Sequence, residues 1–447
     1  MTLTQIERVP AGGHKSPPPP SPSATARREL ALSRLLILYI GTGLFFMLLP
    51  GTFLGVWNLF AISARHAPES ISSAWVQAHG HAQIFGWIGT FILGIGYYSI
   101  PKLRRLAPMA LSAVWTSWIL WTAGVTLRWL AGVYAWHWRL LLPVSAGLEL
   151  TAFLIFFRSV SGHRPQNRAA GRPKLESWIL VVIAGSVGLL LALIANLAAA
   201  LVASRAYASP DLPPSLDLRL LALQTWGCLV PFVWGFSARW LPVFLGLRPV
   251  RGRLLLAAVA VNLSGVLAAL AGFVIPSAFL FAAAILTAAA ALRLFESAER
   301  PAKTEGVHPT FPIFIRLAYA WAVLAAVLGI AAAFAADSHG IAGASRHALT
   351  VGFLGLMVFA VGQRVLPAFS GMRLLFSPAL MFAAMLLLFL GCLLRVGAEV
   401  LAYQHLLASA WAWLPVSAVC EMTAVTTFAV NLAVTFARPG PQSKSSN

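Results

Sequence analysis

The stretch "HAQIFGWIGTFILGIGYYSIP", residues 81–101, returns later in the chain as "HALTVGFLGLMVFAVGQRVLP", residues 347–367. A single offset carries His81 onto His347, Gly86 onto Gly352, Gly89 onto Gly355, Gly96 onto Gly362 and Pro101 onto Pro367. A third copy, "ALQTWGCLVPFVWGFSARWLP" at 222–242, matches Gly86 with Gly227 and Gly94 with Gly235, but puts alanine where the others have histidine. Self-similarity at a fixed period is the mark of a fold built from repeated units.

The neighbouring segments repeat too. "GVTLR" at 124–128 meets "GCLLR" at 391–395, and "LPVSAGLELT" at 142–151 meets "LPVSAVCEMT" at 414–423. Glu149 thus answers to Glu421, and Arg128 to Arg395. The middle unit keeps only "GVLAA" at 265–269 and "IPS" at 275–277.

The composition gives the repeats their setting. Of 447 residues, 59% are hydrophobic and only 10% charged, against roughly 25% charged in soluble domains. Apolar runs of about 20 residues, enough to cross a hydrocarbon core of about 30 Å, recur along the chain. The sequence predicts twelve spans, near 34–60, 79–101, 109–133, 138–158, 176–203, 217–242, 253–274, 276–295, 313–336, 346–367, 376–397 and 408–436. The expected fold is therefore an all-α polytopic membrane protein of twelve transmembrane helices in three pseudo-symmetric four-helix units, 31–160, 175–298 and 310–438. Four is even, so successive units share one orientation; parallel repeats around an axis are expected, and not the inverted repeats of many transporters.

A net charge of +19 raises the question of nucleic acid, which the placement of the charges answers. Lysines and arginines concentrate in alternate short loops, as the positive-inside rule requires, whereas only Arg65, Arg139, Arg205, Arg219 and Arg346 fall in the opposite set. The charge reports topology, with membrane lipid as the partner, no nucleic acid, and both termini cytoplasmic in a bacterial inner membrane. Residues 1–30, with "KSPPPPSPSATARR", and residues 439–447 lack an apolar core and are read as disordered tails. Cys228, Cys392 and Cys420 fall inside spans with no CxxC spacing, so they are read as small core residues.

The recurring glycines are explained by close helix packing, which lipid-embedded helices need. The histidines carry more. His81 and His347 occupy matching sites within about two turns of the outer surface, roughly 5–10 Å deep. Ionisable residues inside a membrane are functional by default, and imidazole is the commonest metal ligand. Two imidazoles facing one another across a bundle suit a six-coordinate haem. His79 points about 200° away from His81 around the helix, so both do not ligate one iron on an undistorted helix; His79 is left for a second metal or the outer interface. The competing reading makes these histidines polar caps of membrane helices, matched by shared ancestry of the repeats. Arg128 and Arg395, in the outer halves of spans 3 and 11, are candidates to hold haem propionates, or else to pair with Glu149 and Glu399. Glu149 and Glu421, near mid-membrane, should be protonated or paired, with Ser or Thr on a neighbouring helix as the expected partner.

Haem-type histidines on spans 2 and 10 of such a bundle resemble the catalytic subunit of haem-copper oxidases and nitric-oxide reductases. That resemblance implies low-spin haem ligation by His81, or His79, together with His347. The family also has a span 6 copper histidine, a histidine pair after span 6 and a second span 10 histidine; here span 6 reads "ALQTWG", residues 243–275 contain no histidine, and span 10 has one. The oxygen-reducing centre is therefore expected to be absent. "HGHAQIFGW" and "RHALTVGFLGLMVFAVGQRVLP" more closely resemble the NnrS family, haem- and copper-containing membrane proteins of the nitric-oxide response. Its span 2 motif usually continues His-Glu-Met, whereas this chain has His81, Ala82 and Gln83, so no role of that glutamate carries over. The resemblance implies haem b on His81 and His347, copper near His79, and nitric oxide or another small diatomic molecule as ligand. The alternatives are a transporter of a small solute or protons using Glu149, Glu421 and Asn196, and a non-catalytic partner of a respiratory complex.

Overall fold

A computed structural model describes residues 22–104, 106–162, 176–335, 339–371 and 373–438. The tails at 1–21 and 439–447 lie outside the described residues. Helical backbone already begins at Pro22, within the stretch read as an N-terminal tail.

The described residues form helices joined by short loops, with no strand among them. A chain this apolar has little choice, because in lipid each backbone N–H and C=O must find its partner within the segment. The long helices are α1 (Ala26–Arg65), α2 (Ser73–Leu103), α3 (Leu111–Tyr134), α4 (Trp138–Gly162), α5 (Ser177–Ala206), α6 (Pro214–Leu245), α7 (Gly252–Leu270), α8 (Val274–Leu292), α9 (Phe311–Phe334), α10 (Gly340–Phe369), α11 (Pro378–Tyr403) and α12 (Ala408–Ala437). Eleven of them, all but α3, are long and apolar enough to cross a membrane, which makes the chain a multi-pass membrane protein. Helix α3 carries Arg128 and is rich in Trp, Ser and Thr, which lowers its apolar character.

Four helices open into π-helical turns: Met47–Phe53 in α1, Ala82–Gly89 in α2, Thr225–Leu229 in α6 and Ala348–Gly355 in α10. The α2 and α10 segments begin on the residue after His81 and after His347, in the register that joins the two sequences. The α6 segment falls within the same stretch of its copy. Such turns are rare and gather at functional sites.

The matching glycines let neighbouring helices approach. A Cβ on Gly86 would stand 2.9 Å from Phe46 of α1, and one on Gly352 would stand 2.6 Å from Trp321 of α9. In the middle copy the contact is backbone to backbone: the carbonyl of Gly227 lies against Gly188 of α5, where any Cβ would collide with it. Aromatic contacts tie α2 to α10 through Trp87 and Phe359, and α6 to α10 through Trp240 and Phe369.

Candidate cofactor site

The site begins in α1. Pro50 has no N–H to give and its ring crowds the preceding turn, and the helix widens there into the π segment Met47–Phe53. Two carbonyls of that segment accept bonds from neighbouring helices: Pro50 from the indole N–H of Trp129 at 3.3 Å, and Gly51 from Nδ1 of His79 at 2.8 Å. Gly55, one turn further on, has no side chain because the His79 ring occupies the space; a Cβ there would lie 2.7 Å from Cε1. Span 1 thus fixes both the tautomer and the tilt of His79, with the proton on Nδ1 and Nε2 turned away from the carbonyl.

His347 is fixed in the same manner by other residues. Its Nδ1 lies 3.0 Å from the carbonyl of Gly343, one turn earlier, and 2.9 Å from Oε2 of Glu399 in α11. The second oxygen of Glu399 accepts from Nη2 of Arg395 at 2.9 Å. Glu399 and Arg395 are both buried. Gly343 keeps the carboxylate in place, since a Cβ there would stand 3.0 Å from Oε1. Behind His347, the Cys392 thiol points at its backbone carbonyl.

The structure brings these two histidines into one neighbourhood. His79 lies within electrostatic range of His347 and Arg395, and Glu421 within range of His347, Arg395 and Glu399. Among the described residues, no protein bond forms at Nε2 of either ring, while Nε and Nη1 of Arg395 are buried without a partner. Oε1 of Glu421 is likewise buried and unpaired. Unpaired buried polar atoms are uncommon in folded proteins; Arg395 contributes two and Glu421 one, and Glu149, the partner of His81, leaves its Oε2 unpaired as well.

His81 is engaged elsewhere. Its Nε2 bonds Oε1 of Glu149 at 2.8 Å, its ring stacks on Phe85 at 4.6 Å, and Glu149 fits because Gly124 of α3 has no side chain. Arg128 lies within electrostatic range of Glu149 and Asp217 without an ion pair within 4 Å among the described residues. The two arginines expected to act alike therefore differ: Arg395 belongs to the His79 and His347 group, and Arg128 to the His81 group. The 200° between His79 and His81 is preserved, because both sit in the regular turn before the π segment, and it sends them into separate groups. Among the described residues, the bonds expected between the mid-membrane carboxylates and Ser or Thr do not form; Glu149 takes His81 through Oε1 and leaves Oε2 buried and unpaired, as Glu421 leaves its Oε1. Sequence reading also missed two carriers of the site. The Gly51 carbonyl was signalled only by Pro50 and Gly51 inside an apolar span, and Glu399 was considered as a partner for Arg395 alone.

The donor set distinguishes between metals. Among the described residues, no three His, Cys, Asp or Glu side chains cluster so as to hold a metal ion. A porphyrin iron takes one or two protein ligands, which the free Nε2 atoms of His79 and His347 could provide, and its propionates pair with cations, which Arg395 could provide. The residues could hold a haem, and no group of three ligands that would cage a copper ion occurs among the described residues.

A family model described as NnrS protein matches residues 37–439. Comparison with curated proteins returns no significant match. Among solved structures, one similar to this chain is a haem-copper terminal oxidase dimer determined by cryo-electron microscopy. The match has a TM-score of 0.58 and 13% identity, covering 93% of this chain and 85% of that one. At that identity the likeness is one of fold.

Proposed function

The chain belongs to the NnrS family, and from that membership and the two anchored imidazoles we propose that it is a haem-binding protein of the bacterial inner membrane acting in the response to nitric oxide. His79 and His347 would hold the iron of haem b through Nε2, and Arg395 would receive a propionate. Bound there, haem b would supply an iron centre that exchanges one electron; with both Nε2 atoms as ligands, nitric oxide or another small diatomic molecule would bind only in place of one imidazole.

The protein's own residues do the positioning. The Gly51 carbonyl and the Glu399 carboxylate each take the Nδ1 proton of a histidine, which fixes the tautomer and raises the basicity of Nε2, the usual work of outer-shell partners. Arg395 is tied to Glu399 through one nitrogen and keeps two others free in a buried place, where a guanidinium pairs strongly with a carboxylate. The His81–Glu149 pair stands outside this set and braces α2 against α4. The proposal also includes twelve spans in three parallel four-helix units with cytoplasmic termini, supported by the glycine contacts and π segments that recur in the register of the repeat.

The observation that carries the reading is the presence of two imidazoles with Nδ1 occupied and Nε2 free beside an arginine with unpaired buried donors. Reduced-minus-oxidised absorption spectra of the full chain, purified after expression with ample haem, test it. A b-type signal lost together with His79 or His347 is expected; a spectrum without haem bands overturns the reading.

A further inference from the structure

A cavity of about 130 Å³ lies where α2, α6 and α10 meet, the three helices that carry the repeated motif. Its walls reach α2 from Ile88 and α10 from Leu354, each about 10 Å beyond the histidine of the same helix at 1.5 Å per residue. Ile92, Val233, Met357 and Val361 typify the lining. Ser237 brings a hydroxyl to it, and that group already bonds the Tyr319 hydroxyl at 2.9 Å.

Water needs two to four polar partners to stay in such a space, and cavities of about 150 Å³ with aliphatic and aromatic walls remain dry and take benzene or xenon. The walls here offer almost no partner, so hydration is unfavourable. Packing alone would close the gap if nothing opposed it, because an empty space forfeits dispersion contacts. We infer that the cavity at the junction of α2, α6 and α10 is a dry binding site for uncharged gas molecules, with room for more than one diatomic at a time. Apolar gases concentrate in lipid, which makes the membrane around these helices the reservoir for the proposed site. Identifying the natural gas as nitric oxide rests on the function proposed above; the existence of the site does not.

Xenon reads the cavity directly. With the full chain in lipid nanodiscs, the ¹²⁹Xe chemical shift is followed against xenon pressure for the native sequence and for Val233→Phe and Val361→Phe, which fill the space from two different helices. Saturable binding in the native protein, weakened at least tenfold in whichever variants keep the native elution profile and helical content, is the expected result. A linear, unsaturable shift in the native protein overturns the proposal, as does equal saturation in a folded filling variant or a lipid chain already seated in the cavity. Haem loss leaves the native xenon curve in place, so failure here and failure of the haem reading are separable.

Discussion

Nδ1 of His347 lies 2.9 Å from Oε2 of Glu399, and the other oxygen of that carboxylate holds Arg395 at the same distance. One buried acid therefore orients both the imidazole proposed to ligate iron and the guanidinium proposed to hold a propionate. Glu399→Gln keeps the shape but removes the charge that organises both partners. Haem affinity should fall by about 10- to 100-fold, the usual consequence of losing an outer-shell partner. Haem titration followed by the Soret band checks this, and an unchanged affinity would show that Glu399 serves packing alone.

His79 and His81 are separated by one residue and should respond in opposite ways. His79→Ala should abolish six-coordinate haem while leaving the fold intact, because its ring rests in a space kept open by Gly55. His81→Ala should retain the haem spectrum and lower stability, since it strands Glu149, which is 1% exposed. An unsatisfied buried polar group costs about 1–3 kcal/mol. Absorption spectra and thermal unfolding of the two variants, measured side by side, separate these outcomes.

Part of this division was legible in the chain itself. The offset between His81 and His347, the Gly86 and Gly352 match and the paired Gly-x-x-x-Arg segments marked the helices that meet and the arginines near them, because side-chain spacing along one helix is a local property. Which histidine turns to which partner depends on how α1 and α11 pack against α2 and α10. Repeat symmetry suggested equal roles for Arg128 and Arg395, but Glu399 occupies the place where the first unit has Gly132, and that one difference breaks the equivalence. The Gly51 carbonyl could not be read from side chains, since its role arises in backbone freed by a widened turn.

Gly188 should tolerate no side chain. Its Cα faces the Gly227 carbonyl, which as backbone cannot move aside. Gly188→Ala should destabilise the protein by about 1–3 kcal/mol or more, as overpacking does. Gly41→Ala, where nothing lies within 4 Å, should be neutral or stabilising, because alanine is the better helix former by about 1 kcal/mol. Thermal unfolding in one detergent ranks the two; equal midpoints would contradict the contact.

The loop before α6 is stapled to the start of α2. Gln77 bonds both the carbonyl and the N–H of Leu212 at 2.9 Å, and Asp211 receives the hydroxyls of Ser73 and Ser209. Burial disfavours its charge, but those hydroxyls prevail and hold the Asp211 carboxyl below its ordinary value. A depressed folded-state pKa stabilises above the unfolded value of about 3.9, and that contribution is lost as pH falls through the lower folded value. Amide exchange at 207–213, corrected for intrinsic rates, should therefore accelerate only below about pH 4. Asp211→Asn should remove that pH dependence, and an unchanged profile would exclude the carboxylate as the clasp.

The most direct test of the account is a cryo-electron microscopy map of the haem-loaded protein in nanodiscs. The account predicts a single porphyrin between α2 and α10, with Nε2 of His79 and of His347 on opposite faces of the iron and a propionate at Arg395. Iron bound by His81 in place of His79, or a porphyrin seated away from His347, would contradict it.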